Sequence, residues 1–254
     1  ANGEVLVLGA LAAFWLYTTS QISPLLTVII VIPVSFIGNW LIYRLLLTPL
    51  VSRAKNQGAL EVDSILATFG MSFIIIGIMI SIEGGFFAYK YLSEPIQILG
   101  STTSLNRLIA FLVAVLIGGG LYLWLNHTRP GVAVRAISVS TEASGLVGIN
   151  VPRMSAIAFA LGGTITAVGG ALISTFITLD ASIGVVFTLK ALIIVIMGGV
   201  GEIRGSIVAA VILGVVETGV ATLVDPGLTL AAAYFIFVLI LLFRPQGIFG
   251  RRAT

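Results

Sequence analysis

The stretch LLTVIIVIPVSFIGNWLIYRLLL, residues 25–47, holds a single charge, Arg44, close to its end. A helix of roughly 20 apolar residues spans the ~30 Å hydrocarbon core of a bilayer. Residues 25–47 meet that requirement alone. Similar runs fill most of the chain, at 65–82, 105–125, 154–177, 207–224 and 228–243, with shorter ones at 5–17 and 185–200. The 254 residues are 58% hydrophobic and 9% charged, with a mean hydropathy of +1.16. A soluble domain carries roughly 25% charged residues, so this chain cannot cover a water-facing surface. A β-barrel would show shorter, alternating segments. The expected fold is therefore an all-α polytopic membrane protein, with about eight apolar segments in one transmembrane domain over residues 1–254. The run at 5–17 reads as the remainder of a broken or truncated span. The chain starts without Met at the edge of that run, so a further N-terminal span is expected before Ala1.

Lys and Arg set orientation, because cytoplasmic connections are enriched in them. With alternating spans, Arg44, Arg53, Lys55, Arg129, Arg135, Arg153, Arg204, Arg244, Arg251 and Arg252 fall on one side. Lys90 and Arg107 fall on the other. This places the C-terminus and the connection 127–153 in the cytoplasm, and 83–104 outside.

Within that connection, STEASGLVGINVP (140–152) is polar and punctuated by glycine. Ser140 or Thr141 suits an N-cap. Glu142 falls in a first helical turn, where negative charge is favoured. Gly148 suits the left-handed residue that closes a helix, and Pro152 blocks continuation. The result is a helix of about two turns with Ala143, Leu146 and Val147 on one face. So short a helix needs something to dock against. Either it lies on the bilayer and neighbouring spans, or it is a knob offered to a cytoplasmic partner.

The run EASGLVG, Glu142 to Gly148, resembles the E-A-A-x-x-x-G loop of ABC importer permeases, with Ser144 in the second Ala position. RPGVAVRAISVSTEASGLVGINVPR (129–153) and LKALIIVIMGGVGEIRGSIVAAVILGVVE (189–217) are similar to the LivH type of branched-chain amino acid ABC transporter permease. The opening ANGEVLVLGA resembles that family's segment near its second span, usually written with His where Asn2 stands. The resemblance implies that Thr141, Glu142, Ala143, Ser144, Leu146, Val147 and Gly148 form a coupling helix gripped by an ATPase. It implies a set of partners: two cytoplasmic ATPase subunits carrying ATP and Mg, a second permease (LivM-like, or another copy), and an extracytoplasmic solute-binding protein. It implies a bacterial-type inner membrane and a branched-chain amino acid cargo, with urea or short amides as the alternative.

Other features are weighed from the residues alone. Gly162, Thr166 and Gly170 form one row of small residues and Gly163 and Ala167 another, which lets helix backbones approach closely. MGGVGEIRGS (197–206), with Gly198, Gly199 and Gly201, lacks the Gly-Lys-Ser/Thr ending of a Walker A loop. It reads as a turn or re-entrant hinge, so the chain carries no ATP motor of its own. Ionisable residues inside spans are expensive. Glu217 sits too deep to snorkel and is expected to face protein or a water path, with Lys190 or backbone N–H groups as its partner. Lys190 itself either pairs or snorkels. Glu4, beside Asn2, reads as lining a broken helix end near the pathway. His127, alone of its kind, reads as interfacial. Without cysteine, a second histidine or acids at metal spacing, no metal or bound cofactor is expected, and no serine sits in a nucleophile elbow. Neither an enzyme nor a nucleic-acid partner is supported. An ion-coupled carrier or channel, using Lys190 and Glu217, is the remaining alternative.

Overall fold

A computed structural model describes residues 2–53, 57–83, 86–89, 91–92, 94–98, 101–180, 182–244 and 246–250. Lys55, Lys90, Arg251 and Arg252, counted above for orientation, lie outside the described residues. Seven helical segments among the described residues are long and apolar enough to cross a membrane, and one shorter apolar helix accompanies them. The chain divides into two compact units, Ala1–Val185 and Val186–Thr254.

The first unit begins with α1 (Asn2–Ser20) and α2 (Pro24–Ile42). Ser23 caps α2 by accepting the Leu26 N–H, with Pro24 at the first helical position, where its missing N–H is harmless. The helix does not stop at Ile42. A π-helical turn (Tyr43–Leu47) carries it into α3 (Thr48–Arg53). Then follow α4 (Gln57–Glu83), β1 (Phe86–Phe87), β2 (Pro95–Ile98), β3 (Ser101–Ser104), α5 (Leu105–His127), α6 (Arg129–Val139), α7 (Thr141–Leu146), α8 (Val151–Ile173) and β4 (Leu179–Asp180). Strand β1 pairs antiparallel with β4, and β2 with β3. Helix α9 (Ile183–Gly198) begins in this unit and continues into the second, which adds α10 (Ile203–Leu223) and α11 (Thr229–Phe243).

Two expectations change. The apolar run at 5–17 extends in both directions. It is the middle of α1, whose 19 residues suffice for a span, because its polar ends Asn2–Glu4 and Thr18–Ser20 stay helical. The connection 127–153 contains a second helix, α6, where only one was expected.

Helix α8 packs against α1 and α2. Lipid tails are as apolar as leucine, so spans associate through close packing, not hydrophobic burial. The seam shows this. Val5, Val31, Ala167, Val168 and Leu172 form its core. A Cβ at Gly170 would lie 1.8 Å from the Leu6 carbonyl oxygen, and one at Gly9 would lie 2.0 Å from that of Ala167. The two backbones touch at both points. Gly163 meets the buried side chain of Asn39 on α2. The row that packs is thus Gly163, Ala167 and Gly170. Gly162 is exposed with open space above it, and Thr166 merely returns its hydroxyl to the Gly162 carbonyl (2.9 Å). The expected row through Gly162 and Thr166 is corrected on that ground: α8 is rotated so that they point away from the seam.

In the second unit, Ile193, Met197, Ala209, Leu213 and Ala233 form the core. Gly198 and Gly205 bring α9 and α10 into backbone contact. Gly199 (φ +102°) and Gly201 (φ +86°) make the turn between them. The Ile248 N–H donates to the Met197 carbonyl (2.7 Å), and Phe249 to Gly198 (3.2 Å). Of the two readings of the glycine segment, a turn or a re-entrant hinge, the structure shows the turn, tied to the segment 246–250.

Candidate coupling site

Three side-chain caps build the connection between α5 and α8. Thr128 accepts the Gly131 N–H (3.2 Å) while donating to the Trp124 carbonyl (2.7 Å). Ser140 ends α6 and caps α7, accepting the Ala143 N–H (3.2 Å). Asn150 caps α8, accepting the Arg153 N–H (3.1 Å). Each such cap is worth about 1 kcal/mol. Helix α6 is further fixed to α5: a Cβ at Gly131 would collide with the Trp124 carbonyl, and Arg135 donates to the Asn126 side chain.

Helix α7 closes as its sequence suggests. The Ile149 N–H donates to the Ser144 carbonyl and Gly148 to Gly145 (3.1 Å each), with Gly148 at φ +83°, a conformation that favours glycine. Of the expected coupling residues, Ser144 alone is buried, its hydroxyl donating to the Ser140 carbonyl (2.7 Å). Thr141, Glu142, Ala143, Leu146, Val147 and Gly148 are exposed. Leu146 is 86% and Val147 77% exposed, with Val139 of α6 beside them in sequence equally bare. The result is an apolar knob, Leu146 and Val147, on a capped, anchored helix with one carboxylate, Glu142, in its first turn.

The other candidates separate. Lys190 and Glu217 come together on α9 and α10, the ammonium 2.8 and 2.9 Å from the two carboxylate oxygens. The side chains are 24% and 20% exposed. Glu4 is 4% exposed in the first turn of α1, where the helix dipole favours a carboxylate, while Asn2 is exposed. His127 is exposed at the end of α5, near the Leu123 carbonyl. Among the described residues, no group of three or more His, Cys, Asp or Glu is arranged to hold a metal.

Sequence reasoning missed a polar latch at the opposite end of α5 and α8. The Asn106 amide donates to the carbonyls of Tyr91 (3.1 Å) and Thr175 (2.9 Å), and its oxygen accepts the Arg107 N–H (2.8 Å). The Ser174 hydroxyl lies 2.8 Å from the Ala171 carbonyl and 2.9 Å from the Tyr89 hydroxyl, and hydrogen-bonds to both. Burial pushes the Tyr89 phenol up, against a smaller opposite pull from Ser174. It therefore stays protonated at neutral pH. The rings of Phe14, Tyr17, Phe87 and Tyr91 gather around it. A buried asparagine at a span end was the available signal.

A family model described as the branched-chain amino acid transport system permease component matches residues 1–244. The chain belongs to this family. The permease is 27% identical to the high-affinity branched-chain amino acid transport system permease protein LivH of Salmonella typhimurium, over 99% of its own chain and 85% of that relative. BraD of Pseudomonas aeruginosa, a permease protein of the same type, gives the same identity and coverage. The fructose import permease protein FrcC of Rhizobium meliloti is 32% identical over 45% of the permease and 34% of its own length. No solved structure matches the permease significantly. It is thus a multi-pass membrane subunit of the branched-chain amino acid ABC transporter permease family.

Proposed function

We propose that this permease forms half of the pathway of a binding-protein-dependent importer for leucine, isoleucine and valine. Two cytoplasmic ATPase subunits, which carry ATP and Mg, each seat one α7-type helix. A second permease, LivM-like or another copy, completes the pathway, and an extracytoplasmic binding protein delivers the cargo. The permease itself binds no cofactor and catalyses no reaction. It sits in a bacterial-type inner membrane with its C-terminus in the cytoplasm.

The observation that carries this reading is the bare apolar pair Leu146 and Val147 on a helix capped at Ser140 and closed at Gly148. Closing ATPases that grip this knob displace α7. The caps at Ser140 and Asn150 pass the displacement into α6 and α8, and α8 bears on α1 and α2 through the glycine seam. Such a seam, held mainly by close packing at glycine, can slide between two arrangements.

The test is purification of the native complex in mild detergent, followed by mass spectrometry of its partners and binding of radiolabelled leucine. Recovery of an ATPase and a second permease, with leucine held by a co-purifying binding protein, is the expected result. A binding protein that holds urea or an amide instead would replace the cargo while keeping the importer. Recovery of this chain alone, transporting without ATP after reconstitution, would overturn the reading.

A further inference from the structure

A cleft of about 750 Å³ opens between the π-helical turn and the start of α8. It is lined by Arg44 and Arg153, by the rings of Trp40 and Tyr43, and by the apolar side chains of Phe36 and Ile157. The Arg44 guanidinium stands 5.1 Å over the Trp40 ring, a cation–π contact that leaves its N–H fork available. Both arginines are exposed. Among the described residues, neither has a carboxylate within ion-pair distance. From the cleft, an uncovered apolar stripe, Ile30, Val34, Ile37 and Leu41, runs along α2.

We infer that this cleft binds the headgroup of an anionic phospholipid, with the acyl chains lying on the α2 stripe. Three features point to this occupant. Two arginines suit a phosphate diester, because guanidinium groups bind phosphate oxygens in pairs. Trp and Tyr beside them are the side chains that settle at the bilayer interface. An apolar stripe of about 17 Å, roughly the depth of one leaflet, suits acyl chains, whereas a soluble anion would gain nothing from it. Basic pockets between spans on the cytoplasmic side recognise acidic lipid headgroups in this way. The π turn has a part in the geometry. Its extra residue per turn lets the Thr48 N–H and hydroxyl both reach the Tyr43 carbonyl, the hydroxyl at 3.1 Å. It also shifts every later residue of the span around the axis relative to a regular helix. The cleft includes Asn150, the cap of α8 and the last link of the coupling connection. A bound lipid would therefore brace the point where displacement of α7 enters α8.

The experiment is native mass spectrometry of the complete transporter in neutral detergent. It is titrated with phosphatidylglycerol or with phosphatidylcholine of the same chain length. Phosphatidylglycerol is expected to be retained roughly tenfold better. The double variant Arg44→Gln/Arg153→Gln should lose that preference, and Arg44→Lys/Arg153→Lys should keep most of it, which separates lost charge from lost folding. Excess inorganic phosphate should not displace the lipid. Equal retention of the two lipids by the wild type would overturn the inference, and so would an unchanged preference in the Gln variant. Complete displacement by inorganic phosphate would reassign the cleft to a soluble anion.

Discussion

At one end of the α5–α8 pair, where α5 ends and α8 begins, Leu146 and Val147 stand almost wholly uncovered on α7. At the other end, Asn106, Thr175, Tyr89 and Ser174 bond to one another and to the backbone, under a cluster of aromatic rings and the β1–β4 pair. The two ends hold similar lengths of connecting chain but satisfy it differently. The latch end spends its polar groups within the chain. The α7 end satisfies its backbone with caps and leaves its apolar side chains for something else. In a buried site an unmade hydrogen bond is expensive. An uncovered leucine in water is tolerated and becomes favourable only when a partner covers it. One end is finished by the chain itself, and the other is left bare, where the proposed ATPase grip would cover it.

The largest effect should come from the seam that joins the two ends. Gly170→Leu places a Cβ against the Leu6 carbonyl oxygen and should be destabilising by roughly 3 kcal/mol or more. No monodisperse protein is expected on size exclusion, whereas Gly162→Leu, with open space around it, should behave as wild type. A well-behaved Gly170→Leu would mean that the seam is not closed in the membrane. Next, Glu142→Lys should cut ATP-driven uptake at least roughly tenfold, because it reverses charge at the proposed grip. Insertion and melting temperature should stay unchanged, since surface substitutions usually act within about 0.5 kcal/mol. Full uptake in proteoliposomes would remove Glu142 from the grip.

At the latch end the pattern should reverse, with stability affected more than coupling. Asn106→Leu strands two carbonyls and one N–H. A loss of about 2 kcal/mol is expected, or roughly 4–8 °C in Tm for a chain of this size, read by a thermal-shift assay in detergent. A larger loss of ATPase stimulation than of Tm would show that the latch is not merely structural. Smallest is Tyr89→Phe, at about 1 kcal/mol. The folded phenol titrates above its ordinary value of 10.0. Its contribution is therefore fully present below pH 10 and is lost as pH rises through the raised value. The Tm gap between wild type and Tyr89→Phe should be flat from neutral pH and narrow only on the alkaline side. A gap that stays constant through the alkaline range would show a phenol with no such shift.

Most of the spans were legible because hydropathy is a property of consecutive residues. The α7 helix was legible for a similar reason: capping serine, first-turn glutamate and closing glycine lie within nine residues of one another, Ser140 to Gly148. Helix α6 was not. Its segment RPGVAVRAISV carries no strong helix signal of its own. It is held by the fit of Gly131 under the Trp124 carbonyl and by the Arg135–Asn126 hydrogen bond, both of which depend on α5. The latch was hidden for the same kind of reason, since Asn106 and Thr175 are 69 residues apart.

The amino-acid sequence by itself determined that the chain lives in a membrane, roughly where it crosses, and that a short capped helix stands between two of its spans. Local periodicity and composition suffice for each of these. Only the tertiary structure decided which glycine row of α8 meets α1, that Lys190 and Glu217 pair, and which side of α7 remains bare. Each of these depends on the rotation of one helix against another. In a chain where nearly every helix is apolar all round, hydrophobic pattern does not set that rotation. The fit of backbone against glycine, and the few polar side chains that must find partners, set it instead.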